Sequence, residues 1–382
     1  MTEVLSRKPD ETLDEYKNRL LRNKSFYEIT WDEVAEWLNQ EFGVDYSPDK
    51  YRKESYRLEH EEINEEIDEK LLELRKAKVK ISDERTQINA IARKLAREEV
   101  FKELALDAVK EMSKEKVLKV PSKIIINDEE KHGILCIGDW HYGLEVKEFF
   151  NEYSPEIAKD RVQALLQRVS TIIAEQNLNS ITVINLGDMV SGRIHLPLRL
   201  NSRIDAVTQT MGVSELIAEF LTELSSQVHI DYFSVEDNHS RIEPNKKDSI
   251  NTEAFSRIID WYLQERLKDN TNIKFCENMM EDIATFSVFG HHIVAVHGDK
   301  DPQRGIVDSL NSYLQNHIDL IISAHMHHFS ADENNFTEFY CNGSLIGQDH
   351  YASSLRLNSK PSQLMFIVTP DNVSEVIYKI KL

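Results

Sequence analysis

Cysteine is scarce in this chain. Cys136, Cys276 and Cys341 are the only three among 382 residues. An odd count without paired spacing argues against a disulfide framework or a cysteine-rich zinc site, and it predicts a reduced, intracellular protein. Long apolar runs are missing as well, and none reaches the roughly 20 residues of a membrane helix. The opening Met1-Thr2-Glu3 lacks the apolar core of a signal peptide, so a soluble, cytoplasmic chain without a membrane partner is expected. Positive charge is in deficit: Lys and Arg number 46 against 66 Asp and Glu, a net charge of −20. That balance argues against indiscriminate binding to nucleic acid. It leaves a metal-dependent nuclease open, because acidic residues build metal sites and bound cations invert the local field. Glycine nearly vanishes between Pro9 and Met112, where Gly43 stands alone. Internal repeats and low-complexity segments are absent too.

Five short apolar runs stand out, each ending in residues that can ligate a metal. Ile134-Leu135-Cys136-Ile137 leads to Gly138-Asp139-Trp140-His141, and Ile181-Thr182-Val183-Ile184 leads to Gly187-Asp188. Ile230 to Val235 leads to Asp237-Asn238-His239. Ile293 to Val296 ends at His297-Gly298-Asp299, and Leu320-Ile321-Ile322 precedes Ala324-His325-Met326-His327. Runs of this kind read as buried strands. Ligands at their ends would gather at one sheet edge, where open α/β folds place their sites. Imidazole and carboxylate donors suit Mn, Fe, Zn and related divalent ions. One carboxylate can bridge two ions about 3.5–4 Å apart, a spacing that clamps a phosphate.

The ordered set Asp-x-His, Gly-Asp, Asn-His, His and His-x-His resembles the calcineurin-like metallophosphoesterase superfamily. Within it, the spacing is similar to the Mre11/SbcD-type DNA nuclease branch. The resemblance covers Lys131 to Leu382. It implies two facing β-sheets flanked by helices, with two divalent metal ions at the sheet edge. Mn²⁺ is favoured by the family; Fe, Zn, Mg and Ni are alternatives. By position it implies Asp139, His141 and His327 on the first ion, Asp188 as the bridge, and Asn238, His297 and His325 on the second. His239 resembles the catalytic histidine that assists the leaving oxygen, and a hydroxide activated by the two metals would be the nucleophile. Three positions depart from the family pattern. Asp237 stands where Gly is usual, and a left-handed turn there could survive because Asp tolerates that conformation. Ser240 replaces the usual acid after the histidine, and Ala324 replaces a glycine. Arg241 is placed to contact a phosphate oxygen. Trp140 and Tyr142 flank His141; both suit packing, while either is also a candidate for stacking on a base.

The N-terminal third reads as an all-α arm. Thr30-Trp31-Asp32-Glu33 is a capping box, and Trp31, Val34, Ala35 and Leu38 form one apolar face. Gly43 interrupts, and Ser47-Pro48 restarts a helix that carries Lys50, Arg52, Lys53 and Arg57. Two helices about a glycine turn, the second basic, suggest a helix-turn-helix-like DNA-binding unit; a small packing module with a solvated basic face is the plainer reading. Beyond it, Ile67, Leu74, Ile81, Ile88 and Leu95 recur every seven residues, with Ile63 and Ile91 in a partner column. Lys70, Ala77 and Glu84 interrupt that second column. The heptad predicts a coiled coil, and with it a homodimer.

The expected organisation is a helical module over 1–58, a coiled-coil helix over 59–120, a linker over 121–131 and a catalytic α/β domain over 132–382. Helices are expected over Pro155 to Asn177, Val213 to Leu224 and Thr252 to Leu267. The leading functional expectation is a metal-dependent phosphodiesterase on DNA, a nuclease of repair or recombination type with DNA as partner. The alternative is a phosphatase or phosphodiesterase for small molecules or phosphoproteins. A third reading, an interaction protein on a degenerate scaffold, has only Asp237 and Ser240 in its favour.

Overall fold

A computed structural model describes residues 5–112, 118–124, 130–250, 253–301, 305–354, 356 and 358–382. The chain divides into two compact units, Met1–Val100 and Phe101–Leu382.

The first unit is helical. Helices α1 (Leu13–Arg22), α2 (Trp31–Phe42) and α3 (Pro48–Met112) follow one another. The Thr30 box forms as expected: the Thr30 hydroxyl accepts the Glu33 N–H, and the Glu33 carboxylate accepts the Thr30 N–H at 2.7 Å. Thr12 and Glu15 make the same reciprocal pair at the start of α1. That helix was not anticipated, although Thr-Leu-Asp-Glu carries the same signature. Gly43 ends α2 with φ 61°, a left-handed cap that glycine adopts without strain. Val34, Ala35 and Leu38 are buried with Tyr16, Leu20, Leu21 and Tyr51 in a small core. Ser55 donates to the Leu21 carbonyl inside it.

The second unit is layered. Its elements are β1 (His132–Ile137), β2 (Val146–Lys147), β3 (Glu152–Tyr153), α4 (Pro155–Gln176), β4 (Ser180–Asn185), α5 (Leu196–Asn201), α6 (Ala206–Ser225) and β5 (His229–Ser234). Next come α7 (Phe255–Arg266), β6 (Ile273–Phe275), β7 (Ile283–Val288), β8 (His291–Val296), α8 (Ile306–Leu314) and β9 (Leu320–Ser323). The chain closes with β10 (Ser330–Asn334), β11 (Thr337–Cys341), α9 (His350–Ser354), β12 (Ser362–Val368) and β13 (Val376–Lys381). One sheet has the order β13-β12-β1-β4-β5-β6 and a second β10-β11-β9-β8-β7, while β2 and β3 form a small ribbon.

Period-two alternation explains the layers. Ile134 and Cys136 of β1 face Ile293 and Ala295 of β8 in the core between the sheets. Leu135 and Ile137 point the other way, into the core under α4, α6 and α7. Val294 and Val296 pack outward against Ile306, Val307 and Leu310 of α8. The result is the expected fold class: two facing sheets flanked by helices, with an all-α segment before them. Both faces of each sheet are covered, which is why the central strands are near-continuous apolar runs.

The parallel pairing positions the site. β1, β4, β5 and β6 run parallel, as do β8, β9 and β11. The residues that follow β1, β4, β5, β8 and β9 therefore emerge at the same edge of each sheet.

Candidate metal centre

The loops after β1, β4 and β9 bend sharply where their candidate ligands sit. Asp139, His141, Asp188, His325 and His327 all have positive φ, between 44° and 68°. They are five of the twelve non-glycine residues with this conformation among the described residues. Such backbone costs on the order of 1–3 kcal/mol per residue and persists where the surroundings over-determine it. Gly187 has φ 90°, and a Cβ there would lie 2.5 Å from the Asp237 Cβ. Gly192 has φ 70° and sits so close to the His239 carbonyl that a Cβ would come within 2.1 Å of it. These glycines let the loops after β4 and β5 touch.

The side chains converge. Asp139, His141, Asp188 and His327 offer ligand atoms within 4.8 Å of one another, and Asp188, His297 and His325 do the same. Asp188 belongs to both groups. His141 Nε2 lies 3.0 Å from His327 Nε2, and His297 Nε2 lies 3.0 Å from Asn238 Oδ1. Asp188 Oδ2 is 3.3 Å from His297 and 3.6 Å from His141. The backbone holds the ligands in turn. His325 N–H donates to Asp139 Oδ2, His239 N–H donates to Asp188 Oδ1, and His297 Nδ1–H points to the Leu186 carbonyl at 2.7 Å. Such partners fix ring orientation and tautomer.

The electrostatics call for cations. Asp139 Oδ1 and Asp188 Oδ2 are buried and have no hydrogen-bond partner. Burial pushes the Asp139 carboxyl well above its ordinary value. Burial also raises Asp188, but His239, His297 and His141 outweigh it and hold that carboxyl well below the usual range. Burial lowers His141 strongly, His327 to about 4 and His325 in the same direction, which leaves neutral rings. Burial lowers His297 too, yet Asp188, Asp139 and Asp237 drive it up to about 10. The neutral rings of His141, His325 and His327, facing orphaned carboxylate oxygens, are in the protonation state that divalent ions require, and His297 would give up its proton to a bound ion. The residues present therefore fit two such ions, one on each group, with Asn238 beside the second.

His239 is oriented by its own neighbours. Its Nδ1 lies 3.0 Å from the Ser191 carbonyl, which can only accept. That places the proton on Nδ1 and turns Nε2 toward Asp188 Oδ2, 3.9 Å away. Ser240 plays no part in this. Its N–H and hydroxyl both donate to the Asp237 carboxylate, at 2.6 and 2.7 Å. The expected left-handed turn at Asp237 is corrected as well, since Asp237 is not among the positive-φ residues. Its carboxylate closes the turn by hydrogen bonding, so no unusual φ is needed.

Arg241 Nε donates to the Asn238 carbonyl at 3.1 Å, and its Nη1 is buried without a partner. Tyr142 does not fit the stacking expectation. It is 5% exposed, and the space beside its ring is closed by Gly212. Trp140 is buried, with Nε1 directed at Gln363. Sequence reading missed His195, whose ring lies 5.6 Å from that of His239 at an edge-to-face angle. Burial, with His239 and Arg241 nearby, lowers its proton affinity. No spacing rule identifies it, because it reaches the site through the loop after Asp188.

In the helical unit, Lys50, Arg52, Lys53 and Arg57 are exposed on the opening turns of α3. Arg52 forms an exposed pair with Asp49. Leu74, Ile81 and Ile88 of the heptad series are also exposed, each by at least 64%. The side chains of Ile63, Ile67 and Leu95 lie outside the described residues. Among the described residues, no helix is long and apolar enough to cross a membrane.

Residues 1–72 match the family model described as the YonJ N-terminal domain. A relative from Bacillus subtilis strain 168, an SPbeta prophage-derived uncharacterized protein YonJ, is 29% identical over 380 residues, covering 93% of this chain and 92% of its own. Among solved structures, the chain is similar to a novel archaeal phosphodiesterase, with 13% identity, a TM-score of 0.34, and 65% of this chain and 99% of that one covered. Zinc-bound Vps29 from Entamoeba histolytica is 14% identical, with a TM-score of 0.32 over 65% of this chain and 98% of its own.

Proposed function

We propose that the chain is a divalent-metal-dependent phosphodiesterase that acts on DNA. The observation that carries the phosphoesterase part is Asp188, a buried carboxylate common to two converging ligand groups. Two ions bound there would supply Lewis acidity to a phosphate and to the attacking water, with Mn²⁺ suited to the mixed oxygen and nitrogen donors. The protein's own residues do the rest. Asp139, Asp188 and the histidines would hold the cations. His239 in its imidazolium form, with protons on both Nδ1 and Nε2, would donate from Nε2 to the departing oxygen, its ring locked by Ser191. Arg241 Nη1, a buried donor without a partner, takes a non-bridging phosphate oxygen.

Several features support DNA as the substrate. The segment after Asp188 carries the exposed cations Arg199 and Arg203. Next to it, Glu145 N–H donates to the Asn201 carbonyl, which brings up the loop bearing Phe149 and Phe150. These two rings are 91% and 69% exposed, as a base-stacking platform requires. In this reading the basic start of α3 adds a sequence-independent contact to the DNA backbone. The heptad positions Leu74, Ile81 and Ile88 would pair with a second copy of α3. The unpartnered Nη1 of Arg241 also suits a terminal phosphate, so a phosphomonoesterase is the second reading.

The test is hydrolysis by the full chain with Mn²⁺. Labelled single- and double-stranded DNA would be run beside bis-p-nitrophenyl phosphate and p-nitrophenyl phosphate, with His239→Ala as control. DNA cleavage lost in that variant supports the nuclease. Cleavage of the monoester alone replaces it with a phosphatase. Replacing Lys50, Arg52, Lys53 and Arg57 together by Ala tests the arm, and sedimentation of an Ile81→Lys, Ile88→Lys double variant tests the dimer.

A further inference from the structure

The turn that carries two ligands of the first group is strained, and it is held from several sides. Asp139 and His141 have φ 51° and 44°, one on each side of Trp140. Their N–H groups donate to the Gly187 and Asp188 carbonyls at 3.0 and 2.9 Å, which ties the turn to the loop after β4. The carbonyls of Asp139 and Trp140 are held by other elements. That of Asp139 accepts the N–H groups of Leu345 and Ile346 at 3.1 and 3.4 Å. That of Trp140 accepts the Tyr153 hydroxyl. Tyr153 is buried, and burial pushes its hydroxyl well above the ordinary value, so it remains a protonated donor.

Both supports meet at one residue. Arg161 of α4 lies over the Tyr153 ring, with 5.3 Å from its guanidinium carbon to the ring centre. Its Nη1 donates to the Leu345 and Ile346 carbonyls at 2.7 and 2.8 Å. Its Nη2 donates to Asn151 Oδ1 at 2.9 Å and to the Glu152 carbonyl at 3.0 Å. Asn151 in turn donates from Nδ2 to the Ile346 and Gln348 carbonyls at 2.8 and 2.6 Å. The segment that grips Asp139 is thus itself gripped, by its carbonyls, from α4 and from the turn between β2 and β3.

The arrangement suits positioning better than stability. All four oxygens that Arg161 takes are neutral amide oxygens, and burial pulls the guanidinium below its ordinary value. A half-buried cation without a carboxylate in these bonds loses solvation that no opposite charge repays. What a guanidinium does supply is a planar, rigid fork of five N–H donors. One side chain can therefore set α4, the β2–β3 turn and the loop before α9 relative to one another. We propose that Arg161 is a positioning residue for the first metal ion. It keeps the Asp139-Trp140-His141 turn in its left-handed form, through Tyr153 on one carbonyl and Leu345–Ile346 on the other. The role rests on Asp139 and His141 holding an ion, as in the function proposed above. The second ligand group has other anchors, such as the Leu186 carbonyl at His297.

The experiment is calorimetric titration of the metal-free, full-length protein with Mn²⁺. Two binding steps per chain are expected, and Asp139→Asn and His297→Ala, each lacking one ligand, assign the steps to their groups. Arg161→Ala should weaken the first-group step by about 10–100-fold, the usual cost of losing a residue that orients a ligand, and leave the other step unchanged. Arg161→Lys should recover part of that loss, since an ammonium keeps the charge but lacks the fork. Tyr153→Phe deletes only the bond to the Trp140 carbonyl, so it should weaken the same step by less. It also guards against an Arg161→Ala variant that fails to fold, with circular dichroism as the check. Arg266→Gln is the control for stability alone. It breaks the 2.9 Å pair with Glu215 between α7 and α6, and should lower the melting temperature without separating the two steps. The proposal is overturned by wild-type affinities in folded Arg161→Ala or Tyr153→Phe, or by equal weakening of both steps. If the wild-type protein binds no divalent ion, the metal centre falls with it; if two ions bind and Arg161→Ala changes nothing, the positioning role falls alone.

Discussion

The helical unit and the layered unit treat their polar groups in opposite ways. In the helical unit the polar groups named above find partners: the Thr12 and Thr30 boxes close, Ser55 reaches the Leu21 carbonyl, and Arg19 grips Glu11 at 2.7 Å. Glu28 is its one non-glycine residue with positive φ among the described residues. All twelve orphaned polar atoms among the described residues, and eleven of the twelve positive-φ residues, lie in the layered unit. Strain and unmet hydrogen bonds are therefore concentrated in the unit that carries the metal centre, while the polar groups named in the helical unit are satisfied. Active sites commonly trade stability for function in this way.

That contrast can be broken most sharply at Asp188. Asp188→Asn is expected to lower Mn²⁺-dependent diesterase activity by roughly a thousandfold or more. Metal-free protein should also lose thermal stability from the same change, because the Asp188 carboxylate accepts the His239 N–H and its charge is paired with His297. An unchanged melting temperature of the metal-free variant would mean that these contacts add nothing to the fold.

His239→Ala is expected to lower kcat by about 10²–10⁴, the range of general acid catalysis, with bound metal unchanged by elemental analysis. Loss of metal together with activity would make His239 a ligand instead.

Chelation sharpens the comparison from the other side. Returning Mn²⁺ at a free concentration about a hundred times its Kd should stabilise the protein by about 2.7 kcal/mol, and Asp188→Asn should abolish that gain. In the helical unit, Thr30→Ala should cost about 1 kcal/mol by removing a cap, with activity untouched. Calorimetry and the diesterase assay read the two outcomes separately.

The smallest effect concerns pH. The hydrogen bond from Arg19 holds the Glu11 carboxyl down at about 2. An unfolded Glu titrates near 4.3, so the folded state favours the ionised form. The pair's contribution is complete above that value and is lost as pH falls toward 2. Glu11→Gln should flatten the acid limb of the stability profile between those limits. An unchanged profile would assign the acid sensitivity to other groups.

Much of this was legible beforehand. The five apolar runs are strands, and their alternation names the faces each one covers. The Thr30 box and the Gly43 stop follow from local rules that need no tertiary context. Thr12-Leu13-Asp14-Glu15 obeys the same rule and was overlooked. His195, Ser191 and Gly192 could not be found that way. Their importance depends on two loops meeting after β4 and β5, residues that lie far apart in the chain.

By itself, then, the sequence determined which strands form, which way their residues point and which side chains can bind cations, since periodicity and residue chemistry are local properties. Only the tertiary structure decided that Asp188 stands between two ligand groups, that Ser191 rather than Ser240 orients His239, and that Arg161 backs the supports of the Asp139-Trp140-His141 turn. Those facts arise from parallel strands delivering distant loops to one edge, and from which buried atoms are left without a partner once the layers close.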